Sequence, residues 1–292
     1  MKRRKIQEIP FVEKLISDND AKHFYSLLLR KLIASGAVSR DMSVLVVCGT
    51  SKDKTVFAEL GFTGVTISNL DTREPVDEFR PYSWSYQDAE SLKYPDNHFD
   101  LVAVNAGLHH CQSPHRGLLE MYRVARRAVL VIEARESFLM KLALRMGFAE
   151  EYEVCNVVTE GLHFGGVRNT PVPNYVYRWT EREVTKTIAS YAPHAKHKIE
   201  FYYDLKFPFG SLVDRNPFYL ITAIALYPFA KLAGKLFPRQ SNLFAFAIKK
   251  PELPHELMPW LRLEDEAIAL NLPWIKERYH IEDPRLEDAR RP

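Results

Sequence analysis

The sequence predicts an α/β fold: a Rossmann-like, central, mostly parallel seven-stranded sheet flanked by helices, with a lid insertion and a C-terminal tail. Three observations carry this. Short aliphatic runs alternate with amphipathic stretches between residues 43 and 133, the pattern of strands covered by helices on both faces. Each run stops at glycine or at polar residues, where such chains turn from strand to helix. After residue 136 the rhythm gives way to loops rich in Gly, Pro, Asn and aromatic residues.

Taken in order, residues 1–40 read as an N-terminal helical segment, with Phe24, Leu27, Leu28, Leu32 and Ile33 at helical spacing and Gly36 as its stop. Ser43-Val-Leu-Val-Val-Cys48 reads as the first strand, followed by a helix through Val56, Phe57 and Leu60. Gly64 to Ile67, Trp84 to Tyr86, Phe99 to Val104 and Ala128 to Glu133 supply the next four strands. A helix from roughly Pro114 to Arg126 precedes the fifth. The main domain spans 41–250 and carries its lid at 151–179. Thr180-Glu-Arg-Glu183 is a capping box opening a helix through Val184, Ile188 and Tyr191. Glu200 to Leu205 and Leu243 to Ile248 are two more strands, the last reversed, around an apolar helical insertion at about 213–238. Residues 251–292 form a charged tail expected to wrap the surface.

Composition narrows the function classes. With 46% hydrophobic and 26% charged residues, disordered and low-complexity readings fit poorly. A formal charge of +3 is too small for this length to argue for nucleic acid. Cys48, Cys111 and Cys155 are odd in number and widely spaced, so neither a disulfide framework nor a CxxC zinc site is expected. The basic start at Met1 to Lys5 has no apolar region behind it, which argues against a secretory signal. The uncharged run from Asn216 to Ala230 falls short of the ~20 residues of a spanning helix. A cytoplasmic protein is expected, with peripheral membrane contact or a homodimer interface through 216–237 as open alternatives to core packing.

In such sheets ligands sit beyond the carboxyl ends of the strands, which places Gly49 to Lys52, Asn69 to Asp71, Asp88, Asn105 to His110 and Glu133 along one rim. Val47-Cys-Gly-Thr-Ser51, Val65-Thr-Ile-Ser-Asn-Leu-Asp71, the run from Gln87 to Val102, Leu108-His-His110 and Leu118 to Val124 follow in order at strand ends. Together they resemble the class I S-adenosylmethionine-dependent methyltransferases, in particular the small-molecule, methyltransferase-11-like branch. The resemblance covers residues 43–135 well and the region beyond it only in topology.

The resemblance implies S-adenosylmethionine as cofactor and roles for several residues. Asp88, within Gln87-Asp-Ala89, would accept a hydrogen bond from the adenine amino group, with the Ala89 backbone reaching the ring. Asn69 or Asp71, around Leu70 and about 20 residues past Gly49, would hold the ribose; Asp71 has helix capping as its bland alternative. Gly49 with Asn105 would hold the methionine part, and Cys48, Thr50, Ser51 and Ala106 would line the same cofactor site. The family places an acidic residue and more glycines in this first loop, and this chain departs from it at Cys48, Thr50 and Ser51.

A histidine of near-neutral pKa can take the proton of a hydroxyl that attacks the methyl, which makes His109, slightly favoured, and His110 candidate bases. Glu133 would orient the ring. His109, His110, Cys111 and His115 do not make a complete coordination shell, so no metal is expected. Arg168, Asn169, Tyr175, Tyr177 and Arg178 in the lid are candidate substrate contacts, with surface arginines and core tyrosines as the bland alternative. The expected reaction is methyl transfer to a small-molecule or lipid- or saccharide-linked acceptor, at oxygen. The competing readings are a non-catalytic binding protein with a degenerate glycine loop, a peripheral membrane lipid or glycolipid methyltransferase, and a nucleic-acid enzyme. The last is disfavoured because Asn105-Ala-Gly-Leu108 replaces the Pro-Pro-Tyr-type tetrapeptide of amine-modifying relatives.

Overall fold

Alternation within each aliphatic run decides which layer each side chain joins. In strand β1 (Ser43–Val47), Val44 and Val46 point into one core while Leu45 and Val47 point into the other. The first core is closed by helix α1 (Ala21–Ala34), through Phe24, Tyr25, Leu28 and Leu32, and by helix α2 (Ser51–Glu59), through Val56 and Phe57. Leu118 and Met121 of helix α3 (Pro114–Val124) close the second, with Trp179 and with Val184 and Ile188 of a later helix. The result is three layers, helix on sheet on helix.

The computed structural model describes residues 21–206 and 217–280. The expectations placed on residues 1–20, on 213–216 of the apolar insertion and on 281–292 of the tail lie outside the described residues. The sheet has seven strands in the order β3-β2-β1-β4-β5-β7-β6. Strands β2 (Gly64–Asn69), β3 (Ser83–Tyr86), β4 (Phe99–Asn105) and β5 (Ala125–Ala134) run parallel with β1. β7 (Leu243–Lys249) is antiparallel to both β5 and β6 (Lys198–Asp204), so the last strand in sequence is the one reversed strand of the sheet. The sequence order runs outward from β1 on one side and from β4 on the other, so the crevice between them opens at the carboxyl ends of β1 and β4.

Beyond β5 the chain is more helical than the composition suggests. Helix α4 (Phe138–Arg145) is capped by the Ser137 hydroxyl, which accepts from the Met140 N–H, yet it buries none of its residues. The lid region holds a short helix, α5 (Val154–Thr159), a bridge between Tyr152 and Tyr175, and a bridge from Trp179 back to Arg135. The Thr180 capping box opens helix α6 (Glu181–Tyr191) as its residues predict. Helix α7 (Pro217–Leu236) fills most of the apolar insertion and contains Pro228. It is not packed in the core: Ile221, Leu226, Phe229, Leu232 and Leu236 are all exposed. Among the described residues, no helix is long and apolar enough to cross a membrane. The tail forms a hairpin, β8 (Leu261–Glu264) and β9 (Ala267–Leu270), turned by Asp265 and Glu266, both at positive φ as a tight hairpin turn demands. Helix α8 (Leu272–Tyr279) follows.

Candidate active site

A cavity of about 630 Å³ occupies the crevice beyond β1, β2 and β4 and is roofed by the lid. That size is in the range of small-molecule sites. Its floor is shaped by two loops pressed together. Cys48 takes a left-handed conformation at φ 53°, the position where a glycine is the usual choice. A Cβ on Gly107 would stand 2.5 Å from the Cβ of Cys48, so the loop after β4 reaches the loop after β1 only as glycine. Gly49 is confined in the same way, its missing Cβ falling 2.8 Å from Val46 and from Ile67. The glycines that this floor requires are therefore present, and Cys48 carries the backbone strain that a further glycine would remove.

Of the residues expected at the cofactor, Cys48, Thr50, Asn69, Leu70, Asp71, Gln87, Asp88, Ala89, Asn105 and Ala106 line the cavity. Gly49 and Ser51 lie behind the wall. The Ser51 N–H and hydroxyl both donate to Glu74, at 3.0 and 2.8 Å, so a carboxylate already occupies the α2 N-terminus. Asn69 donates to the Gly49 carbonyl and accepts from the Asp71 N–H. Asp71 caps no helix; its carboxylate is taken by the Arg73 N–H and guanidinium, which hold it below the ordinary aspartate range. Asp88 accepts from the Glu90 N–H through Oδ1, and its Oδ2 receives Arg168 Nη2 at 2.6 Å.

Arg168 and Asn169, expected at the acceptor, thus line the same cavity as the cofactor residues. The other three lid residues lie elsewhere. Arg178 is buried and donates to the carbonyls of Val176 and Glu150, so it ties the lid together, with its Nε buried and without a partner and the residue away from the cavity lining. Tyr177 donates to Glu183 and packs on His115 and Trp179. Tyr175 is exposed and meets Tyr152 edge-on.

Three buried polar atoms on the cavity wall have no partner: the Tyr25 hydroxyl, Asp53 Oδ1 and Asn105 Oδ1. A buried polar group left unpaired costs of order 1–3 kcal/mol, so these three atoms concentrate unmet hydrogen-bonding capacity beside the cavity. Asp53 caps α2 through Oδ2, accepting from the Thr50 N–H at 2.8 Å, while burial raises its pKa to about 6. Neither Tyr25 nor Asp53 was singled out in the sequence, because helical periodicity assigns the first to the core and the capping box accounts for the second.

Past β4, a helical turn at Leu108–His110 carries the two histidines. Glu133, fully buried at the end of β5, accepts the Leu108 N–H at 2.7 Å and holds His109 Nδ1 at 2.7 Å, the ring-orienting geometry its position suggests. The lid adds Glu153, whose Oε2 stands 3.5 Å from Nε2 of both His109 and His110. Burial alone would depress the His109 pKa, but Glu133 and then Glu153 override it and hold the ring protonated up to about 10. His110 is pushed the other way, by burial and by the His109 charge. Of the two, His110 lines the cavity. Glu153 is held down to about 2 against its own burial, chiefly by His109. His115 lies apart, against Tyr177 and Trp179, and Cys111 packs by Cys48 with its thiol pKa pushed up, so the grouping considered from sequence does not assemble.

A doubly flanked parallel sheet with one reversed strand, and a cavity at its switch point lined by Asp88 and the β1 and β4 loops, is the Rossmann-like arrangement that the sequence predicts. Residues 46–132 match the family model described as a methyltransferase domain. No curated protein matches the chain. Among solved structures it is similar to the magnesium protoporphyrin IX methyltransferase of Synechocystis with bound S-adenosylhomocysteine, at 15% identity over 86% of this chain and 94% of that one, with a TM-score of 0.49. It is also similar to the YcgJ protein of Bacillus subtilis, at 14% identity over 79% and 100%, with a TM-score of 0.48. The 1,6-didemethyltoxoflavin-N1-methyltransferase of Burkholderia thailandensis matches at 14% identity over 86% and 87%, with a TM-score of 0.47.

Proposed function

We propose that this protein methylates a hydroxyl of a small-molecule or lipid- or saccharide-linked acceptor, and that the unpaired polar atoms of the cavity wall are its cofactor contacts. The observation that carries this reading is the wall itself: Tyr25, Asp53 and Asn105, each with a buried polar atom left unsatisfied, line one cavity with Asp88 and Ala89. Bound there, S-adenosylmethionine supplies a methyl group activated on a sulfonium. Asp88 accepts from the adenine amino group once Arg168, an exposed partner, has yielded its place. The free Oδ1 of Asp53 and the Tyr25 hydroxyl face the ammonium of the methionine part, a counter-charge that Cys48 cannot provide. His110, at the cavity edge with His109, Glu133 and Glu153 behind it, receives the acceptor's proton. His109, which the sequence slightly favours, is engaged on both ring nitrogens by carboxylates and positions its neighbour.

A lipid-linked acceptor is the reading favoured by the outer surface. Phe138, Leu139, Leu142 and Phe148 around α4, and Phe229, Leu232 and Leu236 of α7, are exposed, and both helices abut the turn at 238–240. Exposed apolar faces gathered side by side mark contact with a partner or a membrane.

Isothermal titration with S-adenosylhomocysteine tests the core of the proposal. Micromolar binding by wild type, weakened at least about tenfold by Asp88→Ala, supports it. Well-folded wild type that binds neither S-adenosylmethionine nor its product overturns it in favour of a non-catalytic protein.

A further inference from the structure

We propose that His109, His110 and Glu153 bind one divalent transition-metal ion, with zinc as the representative, and that Glu133 orients the His109 ligand from behind. One ligand atom from each of His109, His110 and Glu153 lies within 4.8 Å of the other two. The Glu153 oxygen is equidistant, 3.5 Å, from the two Nε2 atoms. That separation exceeds the usual ~2.7–3.2 Å of an N–H···O bond. It matches the edge of a tetrahedron whose centre lies about 2.1 Å from each corner, roughly 3.4 Å, the geometry of zinc with imidazole and carboxylate ligands.

The surroundings are those of a metal centre as well. A ligating histidine donates its other ring N–H to a carboxylate or carbonyl, which fixes the tautomer and the ring plane. Glu133 does this for His109 Nδ1 at 2.7 Å, from a buried position whose second oxygen is pinned by the Leu108 N–H. Glu153 is steadied by Asn174 Nδ2 at 3.2 Å, and Asn174 is itself buried with its Oδ1 unpartnered. Charge argues in the same direction. Two carboxylates gather around two imidazoles, leaving two negative charges that a divalent ion balances and a single proton does not.

Three protein ligands leave a position open, and His110 faces the cavity, so the open position falls on the side where an acceptor oxygen would sit. The inference therefore deepens the proposed methyl transfer: with the ion bound, His110 Nε2 is a ligand and no longer the base, and the ion takes over that role by lowering the pKa of a hydroxyl bound to it, so that its proton is released to solvent. It rests on that reading only for its role, not for the existence of the site.

The test uses full-length protein without a histidine tag, stripped by dialysis against a chelator and titrated with Co²⁺ under visible spectroscopy, then with Zn²⁺ as competitor. The expected result is one Co²⁺ per chain, displaced by Zn²⁺. Glu153→Gln and His110→Gln should each weaken it at least about tenfold, and Glu133→Gln by about 10–100-fold, the usual effect of losing the group behind a ligand. His115→Gln should leave it unchanged. S-adenosylhomocysteine titration of the same samples separates the two proposals: Glu153→Gln that keeps the product's affinity is folded and has lost only the metal. Wild type that takes up no stoichiometric Co²⁺, or binding that survives Glu153→Gln and His110→Gln, overturns the metal site whatever the cofactor result.

Discussion

Asp53 shows at the residue scale how one buried carboxyl couples stability to ligand binding with opposite signs. Lys22 and Tyr25 of α1 line the cavity with it, Lys52 is its charged neighbour on α2, and burial outweighs them in raising its pKa from 3.8 to about 6. Because the folded value lies above the unfolded one, the fold holds the proton more tightly. Stability is therefore unaffected below pH ~4, falls as the pH rises to about 6, and stays lower above it, by about 3 kcal/mol in all. Binding runs the other way. An ammonium needs the carboxylate, so affinity for S-adenosylhomocysteine should rise about tenfold between pH 5 and pH 7. Asp53→Asn should flatten both curves. Titration calorimetry and urea midpoints across this range check the pair; a wild-type affinity flat with pH would remove Asp53 from the cofactor site. The unmatched Oδ1 is what makes the residue informative, since its other oxygen already caps a helix.

Elements differ in how far their own residues determine them. The aliphatic runs from Ser43 to Ala134 were legible as strands because each must be apolar on both faces, and the Thr180 box was legible because its hydrogen bonds are local. Helix α4 was not, because it buries nothing and so leaves no periodic signature of a core. α7 was legible as an apolar helix but not as an exposed one, since hydrophobicity alone does not say what covers a face. That exposure makes α7 the element to test for membrane contact. Wild type should co-sediment with anionic vesicles, and Phe229→Glu combined with Leu232→Glu should weaken partitioning at least about tenfold, roughly 1.4 kcal/mol. Unchanged partitioning, or none in wild type, would instead assign these side chains to a protein partner. Circular dichroism confirms that the variant folds, which the exposed positions of both side chains favour.

Across the whole molecule, the cavity floor could be read from the sequence and its roof only in part: the lid with Arg168 and Asn169 was legible, while Glu153 and the partners these residues meet were not. Asp88, Asn105 and Glu133 sit at strand ends, and strand ends share a rim by topology. Glu153 and Arg168 reach that rim only because the lid folds back over it, 43 residues past His110 in one case and 80 past Asp88 in the other, and no local pattern encodes such a return. The lid is fastened at the surface by Arg168 to Asp88 and by Arg73 to Glu160, the latter with Arg73 also over the Phe164 ring. Exposed ion pairs are each worth about 0–1 kcal/mol and weaken with salt, so this closure is light and a ligand can displace it. Arg168→Ala frees the Asp88 oxygen and should tighten S-adenosylhomocysteine by up to about fivefold, corresponding to that energy. The variant should also expose the 160–170 segment to protease, since the latch is gone. Ligand should restore protection, because it bridges floor and roof. At 100 times Kd the product should stabilise either protein by about 2.7 kcal/mol, raising Tm by about 4 °C for a chain of 292 residues. If Arg168→Ala instead loses affinity, Arg168 is a ligand contact rather than a latch, and the lid closes onto the cofactor instead of yielding to it.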